Sequence, residues 1–568
     1  MSKAESNHNG AAESRRPMAN LSIGEYLIRR LSDYGIEHLF GIPGDYVLSF
    51  YSMLEQSRLK VIGCTREDCA GYAADAYARL HGMGAVCVTY SVGGLSVCNS
   101  IAGAYAEKSP VVVISGAPGM NERKNNPLLH HKVRDFRTQL EVFQKVTIDA
   151  LELTDPLTAF ADIDRALDAA DRFKRPVYIE LPRDMVHAVP PITHSFRQPT
   201  WEPDVKAIDE AAAETAQRIA AAERPVIVAG VELHRFGLQN QLVELAERMQ
   251  IPIATTILGK SVISEHHPLF VGLYEGAIGR NEVTEFVEQS DLILLLGTFM
   301  TDINLGIYTA NLDLDKCVYA TSEALQISHH HFHNVALGEF LDRLNSLDLK
   351  PTTRTIPDAI TFHRDREPFE IEPTAPLRIS RLMSRLNTCL DLDTVVIADV
   401  GDALFAATEL VTHDRGEFLS PAYYTSMGFS VPAAVGAAAA RPDHRVVVLV
   451  GDGAFQMTGC ELSTLVRNGC SPIVIVLDNH GYGTERYLQA GDWEYNEIQP
   501  WAYHKMPELL GGGKGFLVDT EAEFDAALSA AWDDRSQPTI IQARLVENDA
   551  SETLKRLGQR MGEKVAGR

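Results

Sequence analysis

The chain has 568 residues, 45% of them hydrophobic and 23% charged, proportions of an ordinary globular protein that exclude a collagen-like fold and long disorder. Its length exceeds what one hydrophobic core accommodates and predicts several domains. Lys and Arg number 52 against 76 Asp and Glu, a net charge of −24 with no basic patch, which argues against nucleic acid as a partner.

Residues 1–19 are polar, carry no apolar stretch of signal-peptide type and read as a disordered leader. Beyond them, short β-rich apolar runs alternate with Ala/Leu-rich amphipathic stretches, the pattern of parallel sheets covered by crossover helices. The first block predicts strands near 36–41, 61–64, 85–90 and 111–115, with helices over 67–80 and 95–106. The second predicts strands at 225–230, 251–256, 292–297 and 317–320, and the third at 394–400, 445–450, 472–477 and 539–545. Proline- and charge-rich stretches at 189–203 and 350–376 read as linkers. The expected fold class is therefore α/β, with three domains at 20–188, 204–350 and 375–560, each a mostly parallel sheet flanked by helices. Two windows without charge, 82–106 and 418–440, are rich in Ser, Thr, Gly or Tyr, and the second holds two prolines. They read as buried strand–turn–helix segments, not membrane spans. The eight cysteines form no C-x-x-C pair and suit reduced thiols in a cytoplasm.

The strongest motif is GDGAFQ at 451–456, directly after the strand RVVVLV, followed one crossover helix later by DNHGYG at 478–483, directly after PIVIVL. This spacing brings Asp452 and Asn479 to the carboxyl ends of two parallel strands, the edge where open α/β sheets place ligands. A carboxylate, an amide oxygen and a free carbonyl such as that of Gly481 are hard oxygen ligands, and Mg2+ takes one or two such groups and completes its shell with phosphate oxygens. Gly453 and Ala454 open the following helix, where unpaired amides favour an anion. A GDG after a strand is also a common plain turn; its pairing with the second motif favours a magnesium–diphosphate clamp. GGGKG at 511–515 lacks the leading glycine and the Ser/Thr of a P-loop, and neither a G-x-G-x-x-G after a strand nor a G-x-S-x-G elbow occurs.

GDG followed one βα unit later by an Asn-containing turn resembles the binding motif of the thiamine-diphosphate enzymes, and the three-block layout is similar to theirs over about residues 20–550. The resemblance implies thiamine diphosphate and Mg2+ as cofactors, with Asp452, Asn479 and Gly481 on the metal. Glu67, in TREDCAGYAADAYARLHG, by itself reads as a cap or dipole partner at a helix start. By resemblance it is the glutamate that hydrogen-bonds a ring nitrogen of the aminopyrimidine and drives the tautomer that deprotonates the thiazolium carbon. Asp45 in FGIPGDYV, the pair His130–His131 in NPLLHHKV and the turn YSVGGLS together resemble the pyruvate and indolepyruvate decarboxylase branch. That branch adds a late catalytic glutamate, which matches Glu485, although the branch's GYT-hydrophobic-E reads GYGTE here.

In YYTSMGFSVPAA (423–434) Met427 matches the apolar wedge that bends the cofactor, although a methionine in such a run is also ordinary core packing. Thr425 matches the residue whose backbone faces the aminopyrimidine, and Asp402 in ADVGDALF borders the diphosphate by resemblance. Pyruvate-specific members carry Trp and Ile where this chain has Leu404 and Thr484; with Leu488 these residues shape the expected substrate pocket. The expectation is non-oxidative decarboxylation of a 2-oxo acid larger than pyruvate, aromatic or branched-chain, to an aldehyde and carbon dioxide. Pyruvate decarboxylase and a carboligase of acetolactate-synthase type are the alternatives. The family places the first-block residues and the third-block clamp on different chains, so a homodimer or homotetramer is implied. HHHFH (329–333) and EHH (265–267) read as surface histidines, not metal ligands.

Overall fold

In a computed structural model, which describes residues 20–192, 194–196, 201–357, 360, 369–489 and 491–566, the apolar runs assemble into three sheets. The leader 1–19 lies outside the described residues. The first sheet holds β1 (His38–Gly41), β2 (Lys60–Gly63), β3 (Gly84–Val88), β4 (Val111–Ala117), β5 (Asp149–Glu152) and β6 (Val177–Pro182). All are parallel, in the order β2-β1-β3-β4-β6-β5. The second holds β7 (Pro225–Ala229), β8 (Ile253–Thr255), β9 (Phe270–Leu273), β10 (Leu292–Leu296), β11 (Cys317–Ala320), β12 (Leu325–Ile327) and β13 (His330–Phe332). Its order is β13-β12-β11-β10-β7-β8-β9, parallel except for the β12–β13 hairpin added antiparallel to β11. The third holds β14 (Thr394–Ala398), β15 (Phe418–Leu419), β16 (Arg445–Gly451), β17 (Ile473–Asp478), β18 (Lys514–Val518) and β19 (Thr539–Arg544), all parallel in the order β15-β14-β16-β17-β19-β18.

Of the strands that the apolar runs did not predict, β5, β9, β13, β15 and β18 are sheet edges, where half-exposed positions dilute the apolar signal. The His-rich run enters the hairpin at the edge, where His329 and His330 pair separately with Asp315 (3.1 Å) and Glu214 (2.9 Å).

The first and third sheets share one topology: read from its first strand, each runs 2-1-3-4-6-5. The helices Glu67–His81 and Ser430–Ala440 follow the second strand of their respective sheets and pack against each other. Both are built from small residues, so their backbones approach closely; a Cβ on Gly436 would lie 2.0 Å from the Ala73 carbonyl oxygen. Ala70, Ala73 and Tyr77 share one apolar core with Val431, Ala434 and Ala437. Polar ties flank this seam: the Tyr72 and Ser426 hydroxyls meet at 2.6 Å, Arg79 donates to the Ser420 carbonyl at 3.0 Å, and Glu461 accepts from the Thr65 amide at 3.1 Å. No helix among the described residues is long and apolar enough to cross a membrane.

Candidate active site

Because β16 and β17 are adjacent and parallel, Asp452 and Asn479 follow their carboxyl ends side by side. Asp452 opens the helix Asp452–Thr458 and is 1% exposed. Its two oxygens accept from the amides of Gly453 (2.8 Å) and Gly481 (3.0 Å). Burial pushes its carboxyl up to about 6, with nearby Asp478 acting in the same direction against these amides. Gly481 has φ +143°, and a Cβ there would lie 2.0 Å from the Asn496 carbonyl oxygen, so only glycine fits the turn. Arg486 braces the same turn from beneath, donating to the carbonyls of Asn479 (3.0 Å) and His480 (2.9 Å). The Asn479 Oδ1 is buried yet accepts no hydrogen bond within the chain. An unsatisfied buried oxygen is costly, and beside a buried carboxylate it suits a divalent cation. The donor set therefore fits a metal–diphosphate group.

This clamp forms one end of a cavity of about 320 Å³. Thr425 (φ +54°) and Met427 line it from the loop before Ser430–Ala440, and Leu404 from the helix Asp402–Ala407. Thr484, Glu485 and Leu488 line it from the helix Gly483–Leu488. Asp402 also borders the cavity, but its carboxylate accepts from the amide (3.0 Å) and hydroxyl of Ser551, at the start of the helix Glu552–Ala566. Burial pushes Asp402 up to about 6. Its bonds are thus directed at the C-terminal helix.

Several lining residues escaped the sequence reading. Ile303 and Ile307 come from the central domain, and Leu557 and Met561 from the C-terminal helix; nothing local marks an apolar residue 70 or more positions from the motif as a pocket wall. Asp399, at the end of the run TVVIAD, is fully buried and accepts from the Gly428 amide (3.1 Å) and from the Ser430 amide (2.9 Å) and hydroxyl (2.7 Å). It fixes the loop that carries Thr425 and Met427, and its position at a strand end was the available signal.

The first-block residues form a second cluster. Asp45 follows β1, and His130 and His131 lie on the long loop after β4. His130 Nε2 meets Asp45 Oδ2 at 2.7 Å, and His131 Nε2 lies 3.9 Å from Asp45 Oδ1. Glu67 is the first residue of its helix, half-buried beside Gly93 of the YSVGGLS turn. None of Asp45, Glu67, His130 or His131 lines the 320 Å³ cavity. Within one chain, the structure brings together the third-block residues and keeps the first-block residues out of their cavity.

Comparison with known proteins finds matches along three stretches of the chain. Three family models match: "Thiamine pyrophosphate enzyme, N-terminal TPP binding domain" over residues 21–144, the central domain over 212–343 and the C-terminal TPP binding domain over 399–543. An indole-3-pyruvate decarboxylase of Azospirillum brasilense is 37% identical over 550 residues, covering 95% of this chain and 98% of that protein. A pyruvate decarboxylase of Arabidopsis thaliana is 32% identical over 95% of this chain and 93% of its own length. An alpha-keto-acid decarboxylase of Mycolicibacterium paratuberculosis is 32% identical over 92% and 94%. With a buried oxygen clamp of matching chemistry at the carboxyl edge of its third sheet, the chain belongs to the thiamine-diphosphate-dependent 2-oxo acid decarboxylases and works with thiamine diphosphate and a divalent metal.

Proposed function

We propose that the chain acts on an aromatic or branched-chain 2-oxo acid, releasing the aldehyde and carbon dioxide, with Mg2+ as its metal. The observation that carries this substrate class is the apolar wall of Leu404, Thr484 and Leu488 beside Glu485. Leu404 is 2% exposed and leaves room that a tryptophan would fill. The relative that is 37% identical carries the name of an indolepyruvate enzyme, in agreement with that reading.

When bound, thiamine diphosphate supplies a nucleophilic carbon and an electron sink for the departing carboxylate. In this reading Asp452, Asn479 and the Gly481 carbonyl hold the metal and Ala454 presents its amide to the diphosphate, while the Gly453 amide, expected from the sequence to face the anion, instead donates to Asp452 and orients it. Met427 wedges the cofactor, and the Thr425 backbone faces its amino group. Glu67 holds the aminopyrimidine nitrogen. Asp45, His131 and Glu485 exchange protons with the substrate-derived oxygen and carbon, and His130 orients Asp45. Since the first-block residues do not reach their own chain's cavity, we assign the complete site to a homodimer, in which each chain lends its first block to its partner. Eight free cysteines support a reducing cytoplasm as its location.

Pyruvate, a branched 2-oxo acid, phenylpyruvate and indolepyruvate are offered with thiamine diphosphate and Mg2+, and aldehyde is followed with a coupled dehydrogenase. The larger acids are expected to give the higher kcat/KM. Pyruvate in first place overturns the substrate class, and a hydroxyketone product in place of aldehyde favours the carboligase. Glu67→Gln is expected to lower kcat by about 10²-fold or more. Mixed dimers of Glu67→Gln and Asp452→Ala chains are expected to regain activity that neither variant shows alone; no regain overturns the shared site.

A further inference from the structure

Two adjacent residues in extended chain point to opposite faces, yet both imidazoles of the His130–His131 pair turn to one carboxylate. The backbone achieves this at His131, whose φ is +66°, a conformation that non-glycine residues adopt only where the surroundings impose it. His130 is set by Tyr46, which is 1% exposed. The two rings stack at 4.7 Å, and the Tyr46 hydroxyl lies 3.4 Å from Nδ1 of His130, so its Nε2 is the nitrogen that faces Asp45. His131 presents Nε2 to the other oxygen of the same carboxylate. The three ligand atoms lie within 4.8 Å of one another, and among the described residues this is the only group of three His, Cys, Asp or Glu side chains so arranged.

Zinc binds imidazole nitrogen and carboxylate oxygen at about 2.0–2.2 Å, which sets neighbouring ligands about 3.3 Å apart in a tetrahedron. His130 Nε2 lies 2.7 Å from one Asp45 oxygen and His131 Nε2 3.9 Å from the other, one separation shorter and one longer than that distance. Zinc in an open site takes three protein ligands and keeps a fourth position for water, and within the single chain the triad is open on one side, with the His130 side chain 59% exposed. Among the described residues, neither neighbouring cation forms an ion pair with Asp45. Arg183, over the Tyr46 ring, pairs with Glu122, and Lys132 donates to the Asn126 side chain and the Pro127 carbonyl. Two imidazoles discriminate against Mg2+, which prefers oxygen, and favour ions of the zinc, copper and nickel class.

We propose that Asp45, His130 and His131 form a second metal site, selective for borderline transition dications of the zinc class, and that its occupancy blocks turnover. The binding stands on the geometry alone; the inhibition rests on the proposed catalytic role of these three residues. The same atoms cannot ligate zinc and exchange protons with substrate, so zinc competes with the 2-oxo acid and not with Mg2+ at Asp452 and Asn479.

The test uses the full chain loaded with thiamine diphosphate and saturating Mg2+, with Co2+ as a spectroscopic probe and Zn2+ as the inhibitor. One cobalt per chain is expected, with the strong visible bands of a low-symmetry, nitrogen-ligated centre, displaced by Zn2+. Asp45→Asn and His130→Ala are each expected to weaken cobalt binding by about tenfold or more, while their affinity for thiamine diphosphate, measured in the same samples, confirms folded protein. In the unsubstituted enzyme Zn2+ is expected to raise the apparent KM for the 2-oxo acid, with full recovery on adding a chelator and resupplying Mg2+. Cobalt bands unchanged by both substitutions overturn the site. Zinc inhibition that falls as Mg2+ is raised also overturns it, because it places zinc at the diphosphate clamp. Cobalt bands lost in Asp45→Asn and His130→Ala while both variants retain full turnover uphold the metal site and overturn the catalytic role of these residues, so the two readings fail separately.

Discussion

Asp399 shows how one buried carboxylate sets the shape of a loop that lines the cavity. It directly follows β14 with no exposure, and its oxygens accept from the amides of Val400 (3.0 Å), Gly428 (3.1 Å) and Ser430 (2.9 Å) and from the Ser430 hydroxyl (2.7 Å). Burial pushes its pKa up, and these donors oppose the shift. The bonds close the loop on which Thr425 and Gly428 hold positive φ of +54° and +85°. Asn in place of Asp preserves the size but turns an NH2 toward one set of donors, leaving a buried amide unsatisfied at a cost of about 1–3 kcal/mol. Asp399→Asn is therefore expected to lower the melting temperature and weaken thiamine diphosphate binding, read by thermal denaturation and cofactor titration. Unchanged values in both would remove Asp399 from this role. ADVGDALF holds two aspartates, Asp399 and Asp402, and only Asp402 carries an expectation from the family resemblance. What separates them is their partners about 30 and 150 residues downstream, Ser430 and Ser551, and no local pattern shows these.

Elements were legible in proportion to how local their signal is. The placing of Asp452 and Asn479 side by side at one sheet edge could be read because each follows a buried strand, and one crossover helix fixes their spacing. The shared topology of the first and third sheets was not legible, because it resides in strand order and not in any repeated sequence. The role of the C-terminal helix Glu552–Ala566 was equally hidden. Its amphipathic pattern announces a packed face without saying against what; the structure places Leu554 and Leu557 against Ile278 and Phe405, and Leu557 and Met561 in the cavity wall. The helix is pinned at its start by Ser551, which donates to Asp402 and accepts from the Leu554 amide at 3.1 Å. Ser551→Ala removes both the cap and a partner of a buried carboxylate, a loss of about 1–2 kcal/mol. Amide hydrogen exchange in 552–561 is expected to accelerate, and KM for the 2-oxo acid to rise as the wall loosens. Protection equal to that of the unsubstituted chain would refute the helix as a closure of the cavity.

At the scale of the whole molecule, the net charge of −24 sits beside several domain-seam charges that are paired. Arg79 lies between Asp75 (2.7 Å) and Glu107 (2.8 Å), and Lys108 of the first domain inserts between Glu232 (2.5 Å) and Glu323 (2.9 Å) of the central domain. Lys260 of the central domain meets Glu265 at 2.6 Å and the Leu410 carbonyl of the third domain at 2.7 Å. Glu275 departs from this pattern. It sits at the junction of the central domain with the C-terminal helix, 3% exposed, with its Oε1 accepting no hydrogen bond. Burial raises its carboxyl from 4.5 to about 7; Arg556 opposes the shift and Glu409 adds to it. A raised carboxyl favours the neutral form in the folded state, so its contribution is complete below about pH 4.5 and is lost as pH rises through about 7. A shift of this size corresponds to about 3 kcal/mol of differential stability. Glu275→Gln retains the neutral shape at every pH and removes the titration. It is expected to raise the unfolding midpoint over the unsubstituted chain at pH 8 and to match it near pH 4.5, with the gap opening between those limits. Denaturant melts of both chains across that range provide the check, and a gap that is the same at pH 4.5 and pH 8 would show that Glu275 does not titrate in the folded chain.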